Sequence, residues 1–146
     1  MTNEEMFDLL DANNSEERQK KGLDYARTIK NLEIFIQPFF GCRSKMIWDN
    51  CALILSEKGD EELEPYLIEL LKWLQDLNWP GALTIMNRLR EYEKNNAFMM
   101  SLAYCMNCIE KTSDETWEEN LRDLVNNIFC YELDEKGYLI RSYYNE

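Results

Sequence analysis

Residues 60–92, DEELEPYLIELLKWLQDLNWPGALTIMNRLREY, decide the fold. Leu67, Leu70, Leu71, Leu74 and Leu77 recur at the 3.6-residue period of a helix with one buried face. Ala82, Ile85, Met86 and Leu89 repeat that period after the corner 76–81, DLNWPG. Two amphipathic segments joined by so short a turn predict a helical hairpin. Within it Trp73, Asp76, Asn78, Trp79, Pro80 and Gly81 are expected to form a structural corner. Asp76 and Asn78 satisfy backbone groups and cap the helix that begins at Pro80, while the two tryptophans pack.

Helical signals continue on both sides. Upstream, residues 3–10 offer one or two turns with Met6, Leu9 and Leu10 apolar, and Ser15 caps a helix with Glu16 and Glu17 in its first turn and Leu23, Ala26 and Ile29 on one face. Residues 31–37, NLEIFIQ, fit a short helix better than a strand, which would have no partner. After the break 38–43, Ser44 caps a helix in which Ile47, Trp48, Cys51, Ile54 and Leu55 share a side, and Gly59 is expected to close it as a left-handed residue. Asp60 then caps the helix that opens the hairpin, where Pro65 is tolerated near the start. Downstream, residues 97–109, AFMMSLAYCMNCI, are apolar nearly all round, which predicts a helix enclosed by others. Ser113 or Asp114 caps the next, in which Trp117, Leu121, Leu124, Val125 and Ile128 mark a face. The tail holds a turn signal at 134–137 and then YLIRSYY, a last helix or a strand.

An internal repeat supports stacking. Setting 44–77 against 98–131 pairs Met46 with Met100, Cys51 with Cys105, Asp60 with Asp114, Glu61 with Glu115, Glu64 with Glu118, Leu67 with Leu121 and Leu70 with Leu124. The expected architecture is one all-α domain over 1–146, a HEAT-like stack of helical hairpins with about seven helices. Residues 44–131 form its core, 1–43 supply N-terminal helices without an assigned place, and 132–146 are a short irregular or strand-like tail.

Composition narrows the chemistry. The 146 residues suffice for one core, and 28 acidic against 16 basic residues leave a net charge of −12. That balance opposes binding to nucleic acid or an anionic membrane, because both depend on Lys and Arg. The acidic start and the five cysteines point to a cytoplasmic protein with buried thiols, and no stretch has the length and apolarity of a membrane span. The chain contains no histidine, so no Ser-His-Asp or Cys-His nucleophile can form. Cys105 and Cys108 have C-x-x-C spacing without a second pair, and are expected to pack rather than bind metal. No catalytic residue, cofactor or metal is expected. Two acidic clusters remain. Residues 57–64 and 114–123 each carry five carboxylates against one base, and Asp60, Glu61, Glu62, Glu64, Asp114, Glu115, Glu118 and Glu119 are the candidate partner-binding residues. First-turn carboxylates also compensate the helix dipole, about 0.3 to 1 kcal/mol each, which accounts for some of them without a partner. The repeat places both clusters at the starts of corresponding helices, from which one acidic edge is expected to project.

The stretch 73–82, WLQDLNWPGA, together with 47–52, IWDNCA, and 114–117, DETW, resembles a bacterial family of small acidic helical proteins of unknown function. The similarity spans about 45 to 125. It implies a HEAT-like arrangement and a relation to immunity proteins of toxin systems. The function expected is therefore a protein-binding module, an immunity protein that covers the cationic active site of a cognate toxin, plausibly a nuclease, with its acidic face. The alternative is a housekeeping adaptor that holds a protein or peptide on a concave helical face through Trp73 and Trp79. A DNA-repair glycosylase would need a basic patch around Arg43, Lys45, Arg88 and Arg90.

Overall fold

The computed structural model describes residues 1–38, 43–126, 131–133 and 139–141. The described body is all-helical. In chain order come α1 (Asn3–Leu9), α2 (Glu16–Ala26), a 3-10 turn (Leu32–Phe35), α3 (Trp48–Ser56), α4 (Asp60–Leu63), α5 (Leu67–Lys72), α6 (Ala82–Glu91), α7 (Asn96–Thr112) and α8 (Glu115–Asn126). Short 3-10 turns lead into α3, link α4 to α5 and extend α5 to Gln75. The chain then forms a two-stranded antiparallel pair, β1 (Tyr131–Leu133) and β2 (Leu139–Arg141), with Glu132 opposite Ile140. Ile128, Cys42, Cys130 and the turn signal at 134–137 lie outside the described residues.

Local chemistry explains most boundaries. Thr2, Ser15, Asn95 and Asp114 each accept a hydrogen bond from the backbone N–H three residues on, the bond that an N-cap supplies. Ser113 closes α7 in the left-handed region at φ 56°. Gly59, expected as a left-handed terminator, is instead extended at φ −72° and precedes α4, and the Glu62 carboxylate accepts from its N–H at 3.2 Å. Asp60 is therefore the first residue of α4 and not its cap. The helix expected to run unbroken from Asp60 is interrupted at Glu64–Tyr66, where Pro65 has no N–H to give and its ring crowds the carbonyl four residues back. In the repeat register Glu119 stands where Pro65 does, and α8 runs through without a break.

The corner does not lay its two helices along each other. Helix α6 packs on α3 and on the turn Trp73–Gln75. It runs in the same sense as α3, with Gly81 seated on Ala52 and Arg88 reaching the carbonyl of Lys58. Helix α5 packs on α7, and α8 lies against the turn after α5. Trp117 Nε1 donates to the Leu71 carbonyl at 3.0 Å and the Asn120 amide to that of Leu74 at 2.8 Å.

One continuous core joins these layers. Met6, Phe7 and Leu10 of α1 and Phe35 and Ile36 of the first 3-10 turn are buried with Trp48, Ile54, Leu70, Trp73, Ile85, Phe98 and Leu121. The N-terminal helices thus have a definite place, over α3. Asn50 donates to the Leu10 carbonyl at 2.7 Å, and Arg43 holds Glu4 through both guanidinium nitrogens while lying 3.9 Å from the centre of the Phe7 ring. Helix α7, expected to be covered on most sides, buries Phe98, Leu102, Cys105, Met106 and Ile109, half-buries Ala97, Met99, Ser101, Ala103, Asn107 and Cys108, and leaves Met100 and Tyr104 exposed.

Candidate functional site

The corner is built for packing. Trp73 is fully buried and its Nε1 donates to the Pro80 carbonyl at 3.1 Å; Trp48 meets Trp73 and Trp79 edge-on, with ring centres 6.2 and 6.1 Å apart. Asp76 accepts from the N–H of Asn78 at 2.8 Å, which turns the chain locally. Neither Asp76 nor Asn78 caps α6. That helix starts at Ala82 behind Gly81, whose φ of 83° reverses the chain.

The two acidic clusters have different surroundings. In the first, Asp60 is committed inside the molecule: it accepts from Arg88 Nη2 at 2.6 Å and from the N–H of Glu93 at 3.0 Å. Burial raises the pKa of this carboxyl, but the Arg88 bond, the Glu93 amide and the charges of Arg88 and Lys94 together hold it below the ordinary range. Glu62 is engaged with Gly59, leaving Glu61 and Glu64 exposed and, among the described residues, without a hydrogen bond or ion pair. Glu57, in the same stretch, is held by Arg27 across α2 and α3 at 2.9 Å.

In the second cluster Asp114 is the cap of α8, accepting from the N–H of Trp117 at 3.0 Å. Glu118 lies 3.4 Å from Arg122 one turn on, and Asp123 lies 3.6 Å from Arg90 of α6. Glu115 and Glu119 are exposed and, among the described residues, make no hydrogen bond or ion pair. Glu115, Glu118, Glu119, Asn120, Arg122 and Asp123 line an open surface depression of ≈ 500 Å³. The two clusters do not start level. Trp117 reaches Leu71 and Asn120 reaches Leu74, so α8 runs past the end of α5 in the same sense, a register other than the repeat offset that sets Asp114 against Asp60.

The remaining groups offer little chemistry. Burial pushes the thiols of Cys51 and Cys105 up to about 12, which keeps them protonated and unreactive. Among the described residues, no three His, Cys, Asp or Glu side chains gather as a metal site, and no helix is long and apolar enough to cross a membrane. The arginines of a possible basic patch are dispersed and paired, Arg43 with Glu4, Arg88 with Asp60 and Arg90 with Asp123. Sequence reasoning missed these pairings. Arg88 and Arg90 sit two apart in the last turn of α6, so they diverge to opposite flanks and reach one acidic cluster each.

Against known proteins, residues 48–143 match the family model described as Domain of unknown function (DUF5071). The chain belongs to this family. The DUF5071 match begins at Trp48, the first residue of α3, and so contains the corner and α8 but omits α1, α2 and the 3-10 turn at Leu32–Phe35, whose side chains complete the same core. Neither a curated protein nor a solved structure matches the chain.

Proposed function

We propose that this DUF5071 protein is a binding module that docks a basic protein partner on the outer side of α8. More specifically, it would be an immunity protein that covers the cationic active site of a toxin, plausibly a nuclease, and excludes its substrate by occlusion and charge. The observation that carries this reading is the depression on α8, where four carboxylates meet the single cation Arg122 and, among the described residues, Glu115 and Glu119 make no ion pair. Of the first cluster, Glu61 and Glu64 remain available to widen the acidic field. The packing of α3 on α6 and of α5 on α7 is what a HEAT-like stack of helical pairs would produce, and such stacks carry protein-binding surfaces. The adaptor reading draws no support from Trp73, which is buried, or from Trp79, which packs on Trp48. A glycosylase reading draws no support from Arg43, Arg88 and Arg90, which are each paired with a carboxylate.

The test is association with the protein encoded next to this gene, measured by interferometry. For a steered encounter, raising salt from about 0.05 to 0.5 M slows association at least roughly tenfold. Glu115→Lys combined with Glu119→Lys slows it comparably at low salt and leaves the fold unchanged. An association rate indifferent to both manipulations refutes the α8 face, and a neighbour that is an enzyme of metabolism with no affinity for this chain refutes the immunity role.

A further inference from the structure

The link between α6 and α7, residues 92–95, is tied down by a lysine. Lys94 Nζ donates to the Leu89 carbonyl in the last turn of α6 at 2.6 Å and to the Tyr92 carbonyl, and it lies 4.4 Å from the centre of the Phe98 ring of α7. A cation at this point meets the negative end of the α6 dipole and carbonyls that a next helical turn would otherwise occupy. The charged and titratable groups around it are themselves engaged. Arg88 of α6 donates to Asp60 of α4 and to the Lys58 carbonyl, the other Asp60 oxygen accepts from the Glu93 N–H, and burial pushes the Tyr92 phenol up, which keeps it neutral. Lys94 is half-buried among them. By contrast, Lys20, Lys21, Lys30, Lys45 and Lys111 are exposed, and the half-buried Lys72 has Glu69 as a counter-ion at 4.0 Å.

The count of protons on Nζ shows what this position does. An ammonium has three N–H groups and a neutral amine two, so loss of one proton leaves a donor for each carbonyl and creates a lone pair without moving the side chain. Burial favours the neutral form, the Asp60 charge opposes it and the Arg88 charge assists it, which brings the pKa down to about 8. A desolvated lysine beside another cation is a nucleophile near neutral pH. We propose that Lys94 is an acylation site, the amine of this chain that takes an acyl group from a small activated donor, an acyl phosphate or an acyl thioester. The Nζ lone pair attacks the acyl carbonyl carbon and a C–N bond forms. The bond from that carbon to the phosphate oxygen or thiol sulfur breaks, the leaving atom takes the electron pair, and the proton displaced from Nζ passes to it or to water. The amide that results has one N–H and no charge, so it serves one of the two carbonyls where the amine served both. Acylation therefore loosens the α6–α7 link, independently of any partner at α8.

The full chain is treated with acetyl phosphate or with the acetyl thioester of N-acetylcysteamine, to low conversion, and the acetylated lysines are located by peptide mass spectrometry. In the folded protein at about pH 8, Lys94 reacts at least roughly fivefold faster than each of Lys20, Lys21, Lys30, Lys45 and Lys111 with one donor or both, and the faster donor identifies the class. Its rate levels off above about pH 8. In denaturing urea the preference disappears, because it depends on the packing of the α6–α7 link. Longer treatment lowers the melting temperature of the native chain by several degrees more than that of Lys94→Arg, which keeps the charge and has donors for both carbonyls. A Lys94 that reacts no faster than the exposed lysines with either donor, a preference that survives urea, or equal losses of melting temperature in the two treated proteins overturns the proposal.

Discussion

Replacing Gly81 by alanine tests whether the corner sets the position of α6. Gly81 has φ 83°, and an added Cβ would lie 2.7 Å from the Ala52 Cβ, 2.9 Å from the Trp48 carbonyl oxygen and 3.1 Å from the Trp73 ring. An L-residue in the left-handed region costs about 1 to 2 kcal/mol. Intrusion into packed backbone and ring atoms adds about 1 to 3 kcal/mol, because none of the three neighbours is the free end of a flexible side chain. The sum, roughly 2 to 5 kcal/mol, is a large share of the 5 to 15 kcal/mol typical of a domain, and at about 2 to 4 °C per kcal/mol it lowers the melting temperature by roughly 4 to 20 °C. Urea unfolding followed by tryptophan fluorescence measures it, since Trp48, Trp73 and Trp79 all report from the corner. A second substitution separates the two causes. Ala52→Gly removes the closest contact and leaves the φ strain, so in a double-mutant cycle it recovers part of the loss beyond its own cost of about 1 kcal/mol as a helix glycine. A Gly81→Ala loss below about 1 kcal/mol, or a cycle with no coupling, would refute the argument that close approach of α6 to α3 requires glycine here.

Three further outcomes follow from the packing and the charges. Phe7→Ala destabilises the chain by about 3 to 5 kcal/mol in urea unfolding, although Phe7 precedes the DUF5071 region, because its ring packs on Phe35 and under Arg43. Asp60→Asn removes the carboxylate that Arg88 and the Glu93 amide require; its folded pKa lies below the unfolded value, so this stability is present above about pH 4, is lost as pH falls through the folded pKa, and is absent from the variant at every pH, as urea midpoints at pH 7 and below pH 4 will show. Lys94→Met addresses the opposite charge. Burial pushes the Lys94 pKa down to about 8, so between there and about 10.5 the unfolded chain binds the extra proton at this site and its contribution climbs with pH, while the raised thiols of Cys51 and Cys105 act the other way in both chains; between about pH 7.5 and 9.5 the urea midpoint of the native chain therefore gains on that of the variant.

Periodicity made the helices legible, because burial of a single face dictates spacing whatever the neighbours are. Leu67, Leu70, Leu71, Ile85, Met86 and Leu89 are all buried, as their spacing required. The cap Ser15 was equally plain, and that of α8 was narrowed to Ser113 or Asp114, of which Asp114 is the one that accepts, since a hydroxyl or carboxylate three residues before a backbone N–H is a local contact. What could not be read was pairing between distant segments. The period of α7 is indifferent to which side a neighbour covers, so an apolar sequence predicted enclosure and the chain left Met100 and Tyr104 in water. The same holds for α6, whose own residues gave no sign that it would lie on α3 and not along α5. Gly59 shows the limit at a single residue: glycine permits the left-handed turn without demanding it, and the Glu62 carboxylate drew it into the start of α4.

That difference between local and distant information also divides the two acidic clusters. From sequence they are equivalent, related by the repeat and carrying the same charge. The corner breaks the equivalence, because Gly81 fixes α6 against α3 and so carries Arg88 to Lys58 and Asp60 on one flank and Arg90 to Asp123 on the other. The first flank is consumed at its most buried point, since Asp60 supplies both oxygens to groups of the chain itself. On the second the contact is longer, at 3.6 Å, and it engages Asp123, the last of the acids along α8, while Glu115 and Glu119 are exposed. A substitution at Asp60 therefore reports on folding, whereas substitutions at the exposed Glu115 and Glu119, and at Glu61 and Glu64, test the proposed recognition. Charge reversals made at Asp60 and α8 alike would mix the two, and a loss of binding from Asp60→Lys would say nothing about where a partner docks.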